Sequence, residues 1–115
     1  MTIATGEQAL AADVLAAIAA ARKVATGSYT GNGAEARQIT VGFLCKLVIF
    51  VRSDQVFQWI LIPSYSMAHT SGTPYHFAVV AKCYLHATDG FVVDGTDSPV
   101  SNFNTATYYY FAISG

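Results

Sequence analysis

The sequence predicts a mainly β fold: an antiparallel β-sandwich or barrel-like head behind an N-terminal α-helical, coiled-coil-like stalk. Three observations predict it. Apolar residues recur at helical spacing over the first 25 residues, the rest breaks into short strand-like runs between turn signals, and no second helical pattern follows. The chain has 115 residues, 53% hydrophobic and only 11% charged, where an ordinary soluble domain carries about 25% charge. A single domain of this length buries about two-thirds of its extended surface. One so poor in charge is expected to leave apolar surface for other subunits to cover.

Residues 1–25 form the expected stalk and residues 26–115 the head. Leu10, Val14, Ala17, Ala21 and Val24 recur at steps of four and three, the heptad spacing of a coiled-coil seam, and are the expected oligomer interface. Thr5 and Gln8 stand at capping-box spacing, Arg22 and Lys23 suit the last turn, and Gly27 follows as a stop. A second stripe of Ala11, Leu15, Ile18 and Ala25 widens the face, which leans toward three strands. The alternative is one amphipathic helix packed on its own domain.

Strands and turns follow. Tyr29 to Gly33 contains an Asn-Gly turn signal, and Gln38 to Phe43 alternates with period two. Lys46 to Arg52 is apolar on both faces, hence central or covered by a partner subunit. Val56 to Ile62 is another strand, closed by Pro63-Ser64, and Ser64 to Pro74 reads as the longest loop. Tyr75 to His86 reads as one long strand, with Tyr75, Phe77, Val79, Ala81, Cys83 and Leu85 facing the core. Asp89-Gly90 turns into Phe91-Val92-Val93, a polar loop runs from Asp94-Gly95 to about Thr105, and Thr107 to Ile113 closes the domain.

Several functions are excluded at this level. The net charge of -1 and the lack of any basic run leave no nucleic-acid footprint. No stretch approaches the ~20 apolar residues of a bilayer span, and Glu7 and Asp13 are the wrong flank for an export signal. Cys45 and Cys83 lack metal-ligand or redox spacing and read as two reduced, buried thiols. The glycines from Gly27 to Gly33 are followed by neither Lys-Ser/Thr nor a helix, so they are turn residues rather than a phosphate cradle. No Ser or Cys stands in a nucleophile motif. His76 and His86, on one long strand, are too far apart to share an ion, and Asp89, Asp94 and Asp97 read as turn caps. No catalytic residue, metal site or cofactor is expected.

Ligand binding centres on Trp59, Tyr65, His69, Tyr75 and His76, among Ser and Thr. Aromatic faces stack on sugar rings, while hydroxyls and imidazoles hydrogen-bond their edges. Trp59 lies among apolar residues and also reads as core. The Tyr108-Tyr109-Tyr110 triplet points to both faces of its strand, as core and subunit interface.

Four motifs carry a resemblance. Ser28-Tyr29-Thr30-Gly31-Asn32-Gly33, Arg37 to Phe43 with Ile-x-Val-Gly-Phe before Lys46 to Phe50, Gly90-Phe91-Val92-Val93, and Thr107-Tyr108-Tyr109-Tyr110-Phe111-Ala112-Ile113 occur in this order. Over residues 24–115 the chain resembles a small β domain of bacteriophage tail and tail-fibre proteins, departing at Cys45, where proline is usual. The resemblance implies a non-enzymatic virion protein, a homotrimer among other tail proteins, assembled in the host cytoplasm and meeting a host-surface glycan or protein. Three weak sites held in fixed geometry would then act by avidity. A freestanding lectin-like module and a ligand-free connector or decoration protein remain the alternatives.

Overall fold

Alternation between buried and exposed side chains sets each long strand of the structure, a computed structural model that describes residues 22–70 and 80–115 and the backbone of 73–77. Among these residues there are nine strands and no helix. They are β1 (Val24–Thr30), β2 (Arg37–Ile39), β3 (Leu47–Arg52), β4 (Gln58–Ile62), β5 (Tyr65–Thr70), β6 (Thr73–Phe77), β7 (Tyr84–Leu85), β8 (Phe91–Val93) and β9 (Thr107–Ile113). A six-stranded sheet runs in the order β1-β9-β3-β4-β5-β6, and a three-stranded sheet in the order β2-β8-β7. Every pairing is antiparallel.

The core lies between the two sheets. Val48, Phe50, Trp59, Leu61, Tyr108 and Ala112 point inward from the large sheet, and Ile39, Phe91 and Val93 meet them from the small one. Phe50 is the hub. Its ring stacks on Trp59 at 5.5 Å and on Phe91 at 5.3 Å, and meets Tyr29 and Tyr108 edge-on at 6.1 Å each. Each such side chain contributes about 1.5–3 kcal/mol by burial, and the ring geometry adds about 0.5–1.5 kcal/mol per pair.

The expected strands at 46–52, 56–62, 91–93 and 107–113 are present, the alternating segment at 38–43 is strand only as far as Ile39, and three further segments differ. The expected helix runs into β1. Met1 to Ala21, with Leu10, Val14, Ala17 and Ala21, lie outside the described residues, but Val24 and Ala25 pair with Ile113 and Ala112 as strand. The Lys23 N–H donates to the Ser114 hydroxyl at 2.6 Å and the Ser114 N–H to the Lys23 carbonyl at 2.9 Å, so the ladder extends one residue further still.

The expected loop of 64–74 is instead the hairpin of β5 and β6. Its small residues are there for packing rather than for turning. Ala68 lies directly opposite the buried Trp59, where a larger side chain would collide with the indole. Ser66, also buried, accepts the Val80 N–H on its hydroxyl.

The expected long strand of 75–86 is cut by a reversal at Ala81-Lys82. Both residues have positive φ, 50° and 60°, and the Cys83 N–H donates to the Val80 carbonyl at 2.9 Å. This is the twist-matched hairpin turn, built without its usual Asn or Gly. The chain then leaves the large sheet for the small one, so His76 and His86 do not share a strand, and Val80, expected on the wetter face, is buried beside Cys83.

Candidate functional site

The motif residues converge on the core. Tyr29 of β1 stacks on Tyr108 of β9 at 4.8 Å and meets Phe91 of β8 edge-on at 6.0 Å. Both phenols anchor the loop before β9. Tyr29 donates to the Ser101 carbonyl at 2.7 Å, while Tyr108 donates to the Val100 carbonyl at 3.3 Å and accepts the Phe103 N–H at 3.1 Å. Burial pushes the Tyr29 hydroxyl far above the ordinary phenol value, and that of Tyr108 up as well. Segments of the chain widely separated in sequence thus interlock through these residues.

The 94–105 loop is organised by two buried polar side chains. The Asp94 carboxylate accepts the N–H of Ala36, Thr96 and Asp97 at 3.1, 2.7 and 3.0 Å, and the Thr96 hydroxyl at 2.6 Å. Burial alone would raise its pKa, but the Thr96 hydroxyl and these N–H groups together hold it below the ordinary carboxylate value. The Asn102 amide donates to Asn32 Oδ1 at 2.7 Å and to the Ala34 carbonyl at 3.1 Å, while its oxygen accepts Arg37 Nη1 at 3.1 Å. Asp89, at the turn before β8, accepts the N–H of Val41 and Gly42 at 2.9 Å each, which likewise lowers its pKa. The Asp94 and Asp89 carboxylates therefore cap loops, as their spacing implies.

A pH dependence follows. These N–H partners exist only in the fold, and unfolded aspartate titrates near pH 4. Asp94 and Asp89 thus stabilise the protein fully above about pH 4, and the contribution is lost as pH falls through their lower folded values. The thermal midpoint is expected to hold level from pH 7 to 5 and to fall below about pH 4, with a shallower fall in Asp94→Asn; an identical acid limb in that variant would remove Asp94 from the account.

Both cysteines are free and buried. Burial raises the Cys83 thiol to about 12 and that of Cys45 above its usual value. Neither thiol is expected to react with an aromatic disulfide reagent at pH 8 in the native protein, and both are expected to react in denaturant. Rapid native labelling of Cys83 would contradict its placement.

The ligand-binding expectation is partly overturned. Trp59 is fully buried and stacked on Phe50, closed to any ligand, and among the described residues its Nε1–H has no hydrogen-bond partner. Tyr65 and His69 are exposed on β5, and the β6 backbone places Tyr75 opposite Ala68 and His76 opposite Met67. Among the described residues no group of three His, Cys, Asp or Glu could hold a metal ion, and no pocket forms.

The prominent surface is the outward face of the six-stranded sheet. Because residues two apart share a face, Phe111, Ile49, Ile60 and Met67 form one row in register across β9, β3, β4 and β5. All four are exposed, Phe111 at 40%. Tyr109 and Val51 lie in the next row, with Gln58 and His69 beyond them. On the other side Val24, Ile113 and Leu47 align, and Ile62 pairs with Tyr65. Composition implied exposed apolar surface, but only strand order shows that it is continuous. Compared with known protein families, curated proteins and solved structures, the chain matches none.

Proposed function

We propose that this chain is a non-enzymatic structural module of a phage tail or tail fibre, which assembles with copies of itself and contributes to attachment at the host surface. The four ordered motifs are the grounds for the tail assignment, and the observation that carries assembly is the open apolar face of the large sheet. A monomer rarely leaves so continuous an apolar surface in water. The rigid two-sheet core supports a structural role, because it holds that face and the loops at the sheet ends in fixed relation. Residues 1–23 supply the helical stalk up to the start of β1, three copies form the unit, and Tyr65 and His69, exposed toward the two ends of β5 and so at the rim of that face, are the residues offered to a surface glycan or protein.

Two measurements test this reading. An antibody against the recombinant chain is expected to label the tails of particles produced from the genome that encodes it. Labelled chain is expected to bind the host cells that those particles infect. Particles that never carry the chain would overturn the tail assignment, and glycan-array binding by such a chain would favour the lectin-like module. Tail labelling without cell binding would leave a connector or decoration protein.

A further inference from the structure

We infer that the open face of the six-stranded sheet is an interface between copies of this chain, centred on the row Phe111, Ile49, Ile60 and Met67. The inference rests on the assembling role proposed above and names the surface that performs it.

Four observations converge on a second copy as the occupant. The first is chemical. On β1, β9, β3, β4 and β5 the outward residues include no Lys, Arg, Asp or Glu. Two copies can therefore meet without stranding a buried charge, which would cost several kcal/mol. The second is arrangement. The centre is aliphatic and aromatic, while Thr26 and Ser28 on β1 and Gln58 and His69 toward the other edge supply polar groups, the anatomy of an apolar interface core with a polar rim.

The third is size. Six strands at about 4.8 Å spacing and about six residues at 3.3 Å make a face of roughly 600 Å² before side-chain relief is counted. Two such faces bury roughly 1,200 Å² together, the low end of a specific interface.

The fourth is continuity. Val24, the last member of the heptad register that begins at Leu10, is 56% exposed and aligned with Ile113 and Leu47 on this face. Val24, expected at the oligomer interface, thus lies on this face as a strand residue.

The test uses the full chain. Light scattering after size exclusion is expected to give a multiple of 12.3 kDa for the wild type. Ile60→Lys and Phe111→Lys, each adding a charge at the centre of the row, are expected to weaken association about 100-fold and give the monomer mass. Leu44→Lys, at an exposed site outside the strands, is expected to leave the mass unchanged. Near-UV circular dichroism establishes that each variant is folded. A monomeric wild type overturns the inference together with the assembling role. An oligomer that survives both substitutions overturns the inference alone, since copies then join elsewhere.

A second measurement needs no destabilising change. The methionines are Met1 and Met67, so photo-methionine places one internal cross-linker on the face. Irradiation of mixed heavy and light chains is expected to join Met67 to outward residues of the sheet in another copy. Cross-links from Met67 only to residues 1–21 of the same chain would overturn the inference and assign the face to that segment.

Discussion

Phe50→Ala is expected to remove about 3–5 kcal/mol of stability, enough to unfold much of the population if the domain sits in the usual range of about 5–15 kcal/mol. Phe50 is fully buried on a central strand, with aromatic rings on four sides. Truncation forfeits its burial and its ring contacts and leaves a cavity at the point where the two sheets meet. Neighbours cannot readily fill it, because Tyr29 and Tyr108 are tied by their hydroxyls to the 94–105 loop and Trp59 is wedged over Ala68. The thermal midpoint should fall by about 10 °C or more, while Leu44→Ala at the surface should stay within about 0.5 kcal/mol. A Phe50→Ala loss below about 1 kcal/mol, measured by denaturant titration, would mean that the sheets are not joined through this ring.

The reason the strand of Phe50 could be read in advance is the same reason β5 could not. On β3 and β9 runs of large apolar and aromatic side chains mark the strands, though not which of Tyr108, Tyr109 and Tyr110 turns inward. β3 even reads as apolar on both faces, and it is central in its sheet, with Phe50 inward and Ile49 outward. On β5 the buried positions are Ser66 and Ala68. Ala68 is small opposite Trp59, and Ser66, opposite Leu61, accepts the Val80 N–H, requirements set by neighbours and invisible along the chain. The reversal at Ala81-Lys82 is hidden for a related cause. Positive φ at two ordinary residues is imposed by the Val80–Cys83 pairing, while the local alternation argues for an unbroken strand.

The exposed apolar face was legible as a quantity but not as a place. Composition alone required exposed apolar area. The order β1-β9-β3-β4-β5, which brings the last strand between the first and the third, is what lines up Phe111 with Ile49 and Ile60. For the same reason Trp59 looked available to a ligand: its strand could be read, but the inward side of that strand is fixed only by what β3 and β8 bring against it.

Two glycines separate conformational freedom from close approach. Gly42 and Gly90 both have positive φ, +98° and +71°. A Cβ on Gly42 would meet nothing within 4 Å, so Gly42→Ala is expected to cost only the left-handed backbone penalty of about 1–2 kcal/mol. At Gly90 the same atom would be driven into the carbonyl of Ile39. That carbonyl belongs to backbone, which cannot swing aside as a side chain would, and Ile39 is the residue paired with Phe91. Relief therefore means pulling β2 away from β8. Gly90 also donates its N–H to the Phe43 carbonyl at 3.1 Å and accepts the His86 N–H at 3.0 Å, so the shift would loosen the approach to β7 as well. Gly90→Ala is accordingly expected to cost about 4 kcal/mol or more, at least twice the loss at Gly42, with protection from hydrogen exchange lost first at Gln38 to Val41. Equal losses at the two positions would show that the small sheet can yield at Ile39 without strain. Phe91, its neighbour on β8, would then hold its place against Phe50 through side-chain packing alone.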